Sequence, residues 1–208
     1  MPNSEIILIG AGGHARACID VIEQEANYKI AGLIEQHKNS IGDVHLGYKV
    51  LASDDSLANL YKQYRYAIIV IGQLKTANAR IEKFNLLKSI GFEFPIIISP
   101  SAYVSPHASI GEGTIVMHGA TINSGAVIGK NCIVNSKSLI EHDSKVDDHC
   151  HISTCAILNG GVEVAEGSFI GSGAILKQGI KIGSQCVIDM GCIVKVDFAD
   201  STSLLVNG

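Results

Sequence analysis

The sequence predicts two architectures in one chain: an α/β Rossmann-like half-domain over residues 1–96, then an all-β parallel β-helix over 97–197 and a short tail over 198–208. Three observations predict this. Apolar runs alternate with amphipathic helical stretches as far as residue 91. A glycine-rich turn, Gly10-Ala11-Gly12-Gly13-His14, joins the first run to the first helix. From Ile98 onward an aliphatic residue recurs every six positions.

In the first part, "EIILIGAGGHARACIDVIEQE" reads as a buried strand, a tight turn and an amphipathic helix. "YKIAGLIEQ" is a second strand, "DDSLANLYKQY" a helix with an acidic start and "YAIIVIGQ" a third strand. "TANARIEKFNLLKSIG" is a helix closed by Gly91. Strands alternating with helices predict a small parallel sheet with helices on its faces. Pro95 and Pro100 flank the passage into the repeat.

The repeat runs without a slip from Ile98 through Val116, Val134, Ile152 and Ile170 to Val194. Four positions after each aliphatic residue comes a small one, such as Ala120, Ala126, Ser138 and Ala156; Val162 and Ile180 are larger exceptions. A period of six fits neither the helix nor simple alternation. It fits short strands and tight turns wound into a tube, with the aliphatic residue inward. Cys132, Cys150, Cys186 and Cys192 fall on the small position, so they read as packing residues.

Composition narrows the function. The chain has 208 residues, is 47% hydrophobic and 17% charged, and carries a net charge of −4. That is a globular composition with no electrostatic case for nucleic acid or an anionic membrane. No stretch is long and apolar enough to span a bilayer, and no basic start marks a signal peptide, so a soluble cytoplasmic protein is expected. Six cysteines without a C-x-x-C pair give no zinc or disulfide framework.

Two stretches carry chemistry. Gly10 and Gly12 permit a tight turn at a helix start, where free N–H groups favour a phosphate. Glu35, at the end of the second strand, stands where such folds contact a ribose hydroxyl. A nucleotide-sugar is expected rather than NAD, because the second half of a dinucleotide fold is missing. The other stretch, "SLIEHDSKVDDHCHISTCA" (138–156), holds three of the eight histidines. His142 lies two positions after the inward Ile140, so it is no core residue. A neutral imidazole can take a proton from an attacking amine or hydroxyl, and the adjacent Asp143 would fix its tautomer. Gly160 follows His142 by eighteen residues, one coil later if three hexads make a turn of the tube. His149 reads as solvated. Glu141, Asp147 and Asp148 read as surface charge.

Both halves together resemble one family. The turn "GAGGHA", fused to a hexapeptide repeat that carries Asn135 and then "IEHD" at 140–143, is similar to the bacterial sugar acetyltransferases of the NeuD/PglD type. The resemblance implies a left-handed β-helix, acetyl-CoA as co-substrate with no metal, and a homotrimer of surface-glycan biosynthesis. It implies acetyl transfer to a nucleotide-linked amino sugar, or alternatively O-acetylation of a sialic-acid-like sugar. It places the base at His142, oriented by Asp143. It places Gly12, Gly13, His14, Glu35, Gly72, Gln73 and Asn135 on the sugar substrate. His151, Gly160 and Lys195 fall to the coenzyme, with His142 and Asn135 on one wall of a cleft shared between chains. Relatives continue past "LLVNG" into a Pro-Ala-Lys segment over the coenzyme. Two other classes share the β-helix: a γ-class carbonic anhydrase, for which His118, His142, His149 and His151 supply the ligand count, and a non-catalytic solenoid.

Overall fold

The structure, a computed structural model, describes residues 4–205; residues 1–3 of the expected first domain and 206–208 of the expected tail lie outside it. The N-terminal part contains β1 (Ser4–Ile9), α1 (Gly13–Glu25), β2 (Tyr28–Glu35), β3 (Val44–His45), β4 (Tyr48–Ser53), α2 (Leu57–Leu60), β5 (Tyr66–Ile69) and α3 (Asn78–Ile90). Its sheet has the order β3-β4-β2-β1-β5, parallel apart from the β3–β4 hairpin. Ile6 and Leu8 of β1 pack with α1, while Ile7 and Ile9 pack on the other side with Phe84 and Leu87 of α3. Gly91 closes α3 at φ 113, as its position predicts.

Two elements differ from the expectation. The hairpin of β3 and β4 is additional to the three strands read from the pattern. The expected helix over 54–64 is a 3₁₀ turn at Asp54–Ser56 followed by the single turn of α2.

From Ile97 the chain winds as the expected left-handed parallel β-helix. Each strand is two residues, and each pairs with the strand one coil on: Leu139 with Ile157, Ile157 with Ile175, Ile175 with Ile193. The inward aliphatic residues and the small residues, Cys132, Cys150, Cys186 and Cys192 among them, form one continuous core. Burial pushes the Cys132 thiol up to about 12 and Cys150 well above its ordinary value, so neither supplies a thiolate. The winding does not stop at residue 197. Phe198 bridges Ile182, and Ser203–Leu204 pairs with Val187–Ile188, so the expected tail completes a last, shortened coil.

The prism has three faces. Outward residues Ile97, Ile115, Ile133, His151 and Phe169 form a face covered by the N-terminal part, where α1 packs on Ile97, Ile115 and Ile133. Tyr103, Leu139, Ile157, Ile175 and Ile193 make an apolar face, with Tyr103 56% and Ile193 65% exposed. Lys145, Glu163 and Lys181 mark a charged face. Polar ties clip the two parts together: Asp20 Oδ2 to His118 Nε2 at 2.7 Å, and Ile98 N–H to Glu25 Oε1 at 3.2 Å. Among the described residues no helix is long and apolar enough to cross a membrane.

Candidate active site

His142 and Asp143 occupy the turn between Leu139–Ile140 and Lys145–Val146, at the corner of the apolar and charged faces. The turn is held from both neighbouring coils: Asp143 N–H donates to Ser124 C=O at 3.1 Å, and Gly161 N–H to His142 C=O at 2.9 Å. Asp143 takes φ 59, a left-handed conformation that aspartate tolerates. Its Oδ2 lies 2.8 Å from His142 Nδ1, and both side chains are exposed. With the hydrogen on Nδ1, the Nε2 lone pair is free to accept a proton.

Two glycines make room for this pair. A Cβ on Gly125, one coil before, would fall 2.5 Å from Asp143 Oδ1. A Cβ on Gly160, one coil after, would fall 2.6 Å from His142 Nε2. Gly160 therefore lies beneath the imidazole, on the face its spacing predicts. The bare backbone there leaves a cradle that a Cβ would fill. Further along the same corner come Lys177 and Lys195, each directly after an apolar-face strand. Lys181, by contrast, is on the charged face, paired with Glu163 at 3.0 Å.

The glycine turn opens a second site. A cleft of about 610 Å³ is lined by Gly10 to His14, Glu35, Gly72, Leu74, Asp54 and residues of α3 including Glu82 and Lys83. A Cβ on Gly12 or Gly13 would meet nothing within 4 Å, so both border open space. Glu35 is turned onto the loop: its Oε2 accepts Ala11 N–H at 2.9 Å and its Oε1 Gln36 N–H at 2.8 Å. Lys83 and Asp54 form a half-buried ion pair in the wall, which the helical pattern of 76–91 does not reveal. His14 is tucked against the β-helix, its ring 6.3 Å from that of His151. Burial, helped by the Arg80 charge, lowers its pKa to about 4. Among the described residues its buried Nε2 has no hydrogen-bond partner.

Four expectations change at the seam between the parts. Gln73 does not line the cleft; it is 2% exposed, donates from Nε2 to Gly167 C=O at 3.0 Å, and offers its own C=O to His151 Nδ1 at 2.8 Å. His151 is not open to a coenzyme. It points outward on the covered face, its Nε2 meets Asn135 Nδ2 at 3.1 Å, and burial lowers its pKa to about 3. His149 is not solvated: it is buried at the corner of the charged and covered faces, edge-on to Phe84 at 5.4 Å. Asn135 is not on one wall with His142. It lies where the covered and apolar faces meet, and His142 lies at the other edge of the apolar face. The histidines counted as zinc ligands are likewise dispersed, with His118, His142 and His149 at three different corners.

Comparison with known proteins matches this architecture. The family described as PglD N-terminal domain matches residues 5–84, and the bacterial transferase hexapeptide (six repeats) family matches 107–142. The GDP-perosamine N-acetyl transferase of Caulobacter crescentus, solved with CoA and GDP-perosamine, is 30% identical with a TM-score of 0.90, over 96% of this chain and 92% of that one. The acetyltransferase domain of PglB from Neisseria gonorrhoeae FA1090 is 28% identical with a TM-score of 0.87, over 97% and 96%. WeeI from Acinetobacter baumannii AYE, 20% identical, shares the fold at a TM-score of 0.82 over 97% and 96%. No curated protein sequence matches. The fold and these relatives define an acetyl-CoA-dependent acetyltransferase. The chain belongs to the bacterial sugar acetyltransferases of the NeuD/PglD type.

Proposed function

We propose that this enzyme transfers the acetyl group of acetyl-CoA to the amino group of a nucleotide-linked amino sugar. The observation that carries the reading is the pairing of two separate sites: an exposed His–Asp pair above a glycine cradle, and a glycine-turn cleft in another part of the chain. A nucleotide in that cleft meets the free N–H groups at the start of α1. Acetyl-CoA supplies an activated acyl group whose thiolate departs without an acid. His142 Nε2 takes the proton of the attacking amine, and Asp143 holds the ring and stabilises the imidazolium. Among the described residues no hydrogen bond is made by Gly160 N–H, and this N–H is our proposed donor to the developing oxyanion. Lys195 meets the coenzyme's phosphates further along the corner.

The active form is a homotrimer with shared sites. The exposed apolar face separates His142 at one edge from Asn135 at the other, and Asn135 touches His151, whose ring lies 6.3 Å from that of His14. Packing that face against a second chain buries it and brings one chain's His142 toward its neighbour's sugar-binding edge.

The test is a product screen with acetyl-CoA and UDP-, dTDP- and GDP-linked amino sugars. Mass spectrometry should show one acetyl gained as an amide stable to hydroxylamine. An ester product, or no transfer to any nucleotide-linked amine, contradicts the reading.

A further inference from the structure

Arg80 is among the largest fully buried side chains, 1% exposed. Among the described residues its charge has no carboxylate partner. Burial lowers its pKa to about 10, which leaves it a cation at neutral pH. The guanidinium is held by neutral oxygens from both parts of the chain. Nη1 donates to Ile71 C=O at 2.7 Å and more weakly to Ile69 C=O at 3.4 Å. Nη2 donates to Asn131 C=O at 2.7 Å and Asn131 Oδ1 at 2.8 Å.

These contacts close a ring. Asn131 stands at the corner of the charged and covered faces, with φ 50. Its Nδ2 lies 2.9 Å from Nδ1 of His149, one coil on. His149 in turn meets Phe84, one helical turn after Arg80 on α3. Arg80 and Phe84 thus grip two stacked turns of the β-helix from one face of α3. The same guanidinium underpins the segment that follows β5. In that segment Ile71 and Gly72 line the cleft, and Gln73 carries the carbonyl that holds His151.

A methionine would fill this space without the cost of desolvating a charge. What the guanidinium alone supplies is a planar fork that reaches oxygens of separate segments at set angles, which a lysine cannot do. We propose that Arg80 is a positioning residue for acetyl transfer: it fixes the Ile71–Gln73 segment against the corner at Asn131, and so sets where the nucleotide cleft presents its sugar. The proposal rests on the acetyltransferase reading above for its kinetic arm only.

The test compares Arg80→Met and Arg80→Lys with the unaltered protein. UDP, GDP and acetyl-CoA binding are measured by calorimetry, turnover by product formation, and local order by amide hydrogen exchange. In Arg80→Met, binding of the nucleoside diphosphate that the protein takes and of acetyl-CoA should stay within about threefold, while kcat falls by about tenfold or more. Arg80→Lys should recover part of kcat. Exchange should quicken at 70–77 and 128–133 but not in the later coils. Unchanged kcat together with unchanged exchange overturns the proposal, and so does an equal loss of both bindings and turnover. Should Arg80→Met not fold, Asn131→Ala removes one anchor and leaves α3 intact; normal turnover and exchange in that variant also overturn it. Exchange needs no turnover, so an inactive unaltered protein contradicts the proposed function, whereas unchanged exchange in Arg80→Met contradicts the role of Arg80.

Discussion

Asn135 and His142 are seven residues apart in sequence, yet they stand at opposite edges of the same apolar face of the prism. In the proposed trimer, a substrate held near Asn135 of one chain is served by the His142 of another. His142→Ala, impaired in turnover, and Gly12→Val, assayed well below its raised KM for the sugar, should together regain activity above either alone when refolded into mixed trimers. Full activity in a monomer at assay concentration, shown by light scattering, would contradict the shared site.

Gly12→Val tests the cleft. Gly12 has φ −77, and a side chain there enters open space, so the fold should survive. The branched side chain then occupies the approach to the start of α1. The KM for the nucleotide sugar should rise by about tenfold or more and that for acetyl-CoA should stay the same. Equal damage to both would make the turn a structural element only.

Gly160→Ala tests the cradle. The added methyl would fall 2.6 Å from His142 Nε2, and that exposed ring can swing away at little cost to stability. The melting temperature should hold within a few degrees while kcat/KM for acetyl-CoA falls by about tenfold or more. Normal kinetics would remove Gly160 from the site.

The buried histidines predict a pH dependence of stability. His151 is pushed down to about 3 and His14 to about 4, against 6.5 in an unfolded chain. The unfolded state takes up protons first as pH falls, so stability is full above 6.5 and is lost progressively towards pH 3–4. For His151 the loss is on the order of a few kcal/mol. Thermal melts between pH 7 and 4.5 should show a falling midpoint, and His151→Gln should flatten the slope. An unchanged slope in His151→Gln would contradict a neutral, buried His151.

Much of this was legible in the sequence. The inward aliphatic residues from Ile98 to Val194 and the small positions follow from the period of six, and the coil relation of His142 to Gly160 follows once the resemblance supplies three hexads per coil. The seam was not legible. Arg80 looks like an ordinary surface residue of a helix and Gln73 like a loop residue of the substrate pocket, and the docking of α3 and β5 on the covered face buries both. His149 and His151 differ in fate from His142 because successive corners and faces of the prism meet different surroundings, which a single-chain repeat does not encode. The β3–β4 hairpin was hidden for a local reason: its turn places Leu46 at φ 48 before Gly47 at φ 90, and leucine is not a residue that signals such a turn.

The claim at the centre is that His142 Nε2 removes the proton of the attacking amine. The most direct measurement is steady-state kinetics of His142→Ala with the acceptor found in the product screen, beside Asp143→Asn. His142→Ala should lower kcat by about 10²-fold or more with little change in the KM for acetyl-CoA, and Asp143→Asn should cost less because the base remains. Near-normal turnover in His142→Ala would contradict the account.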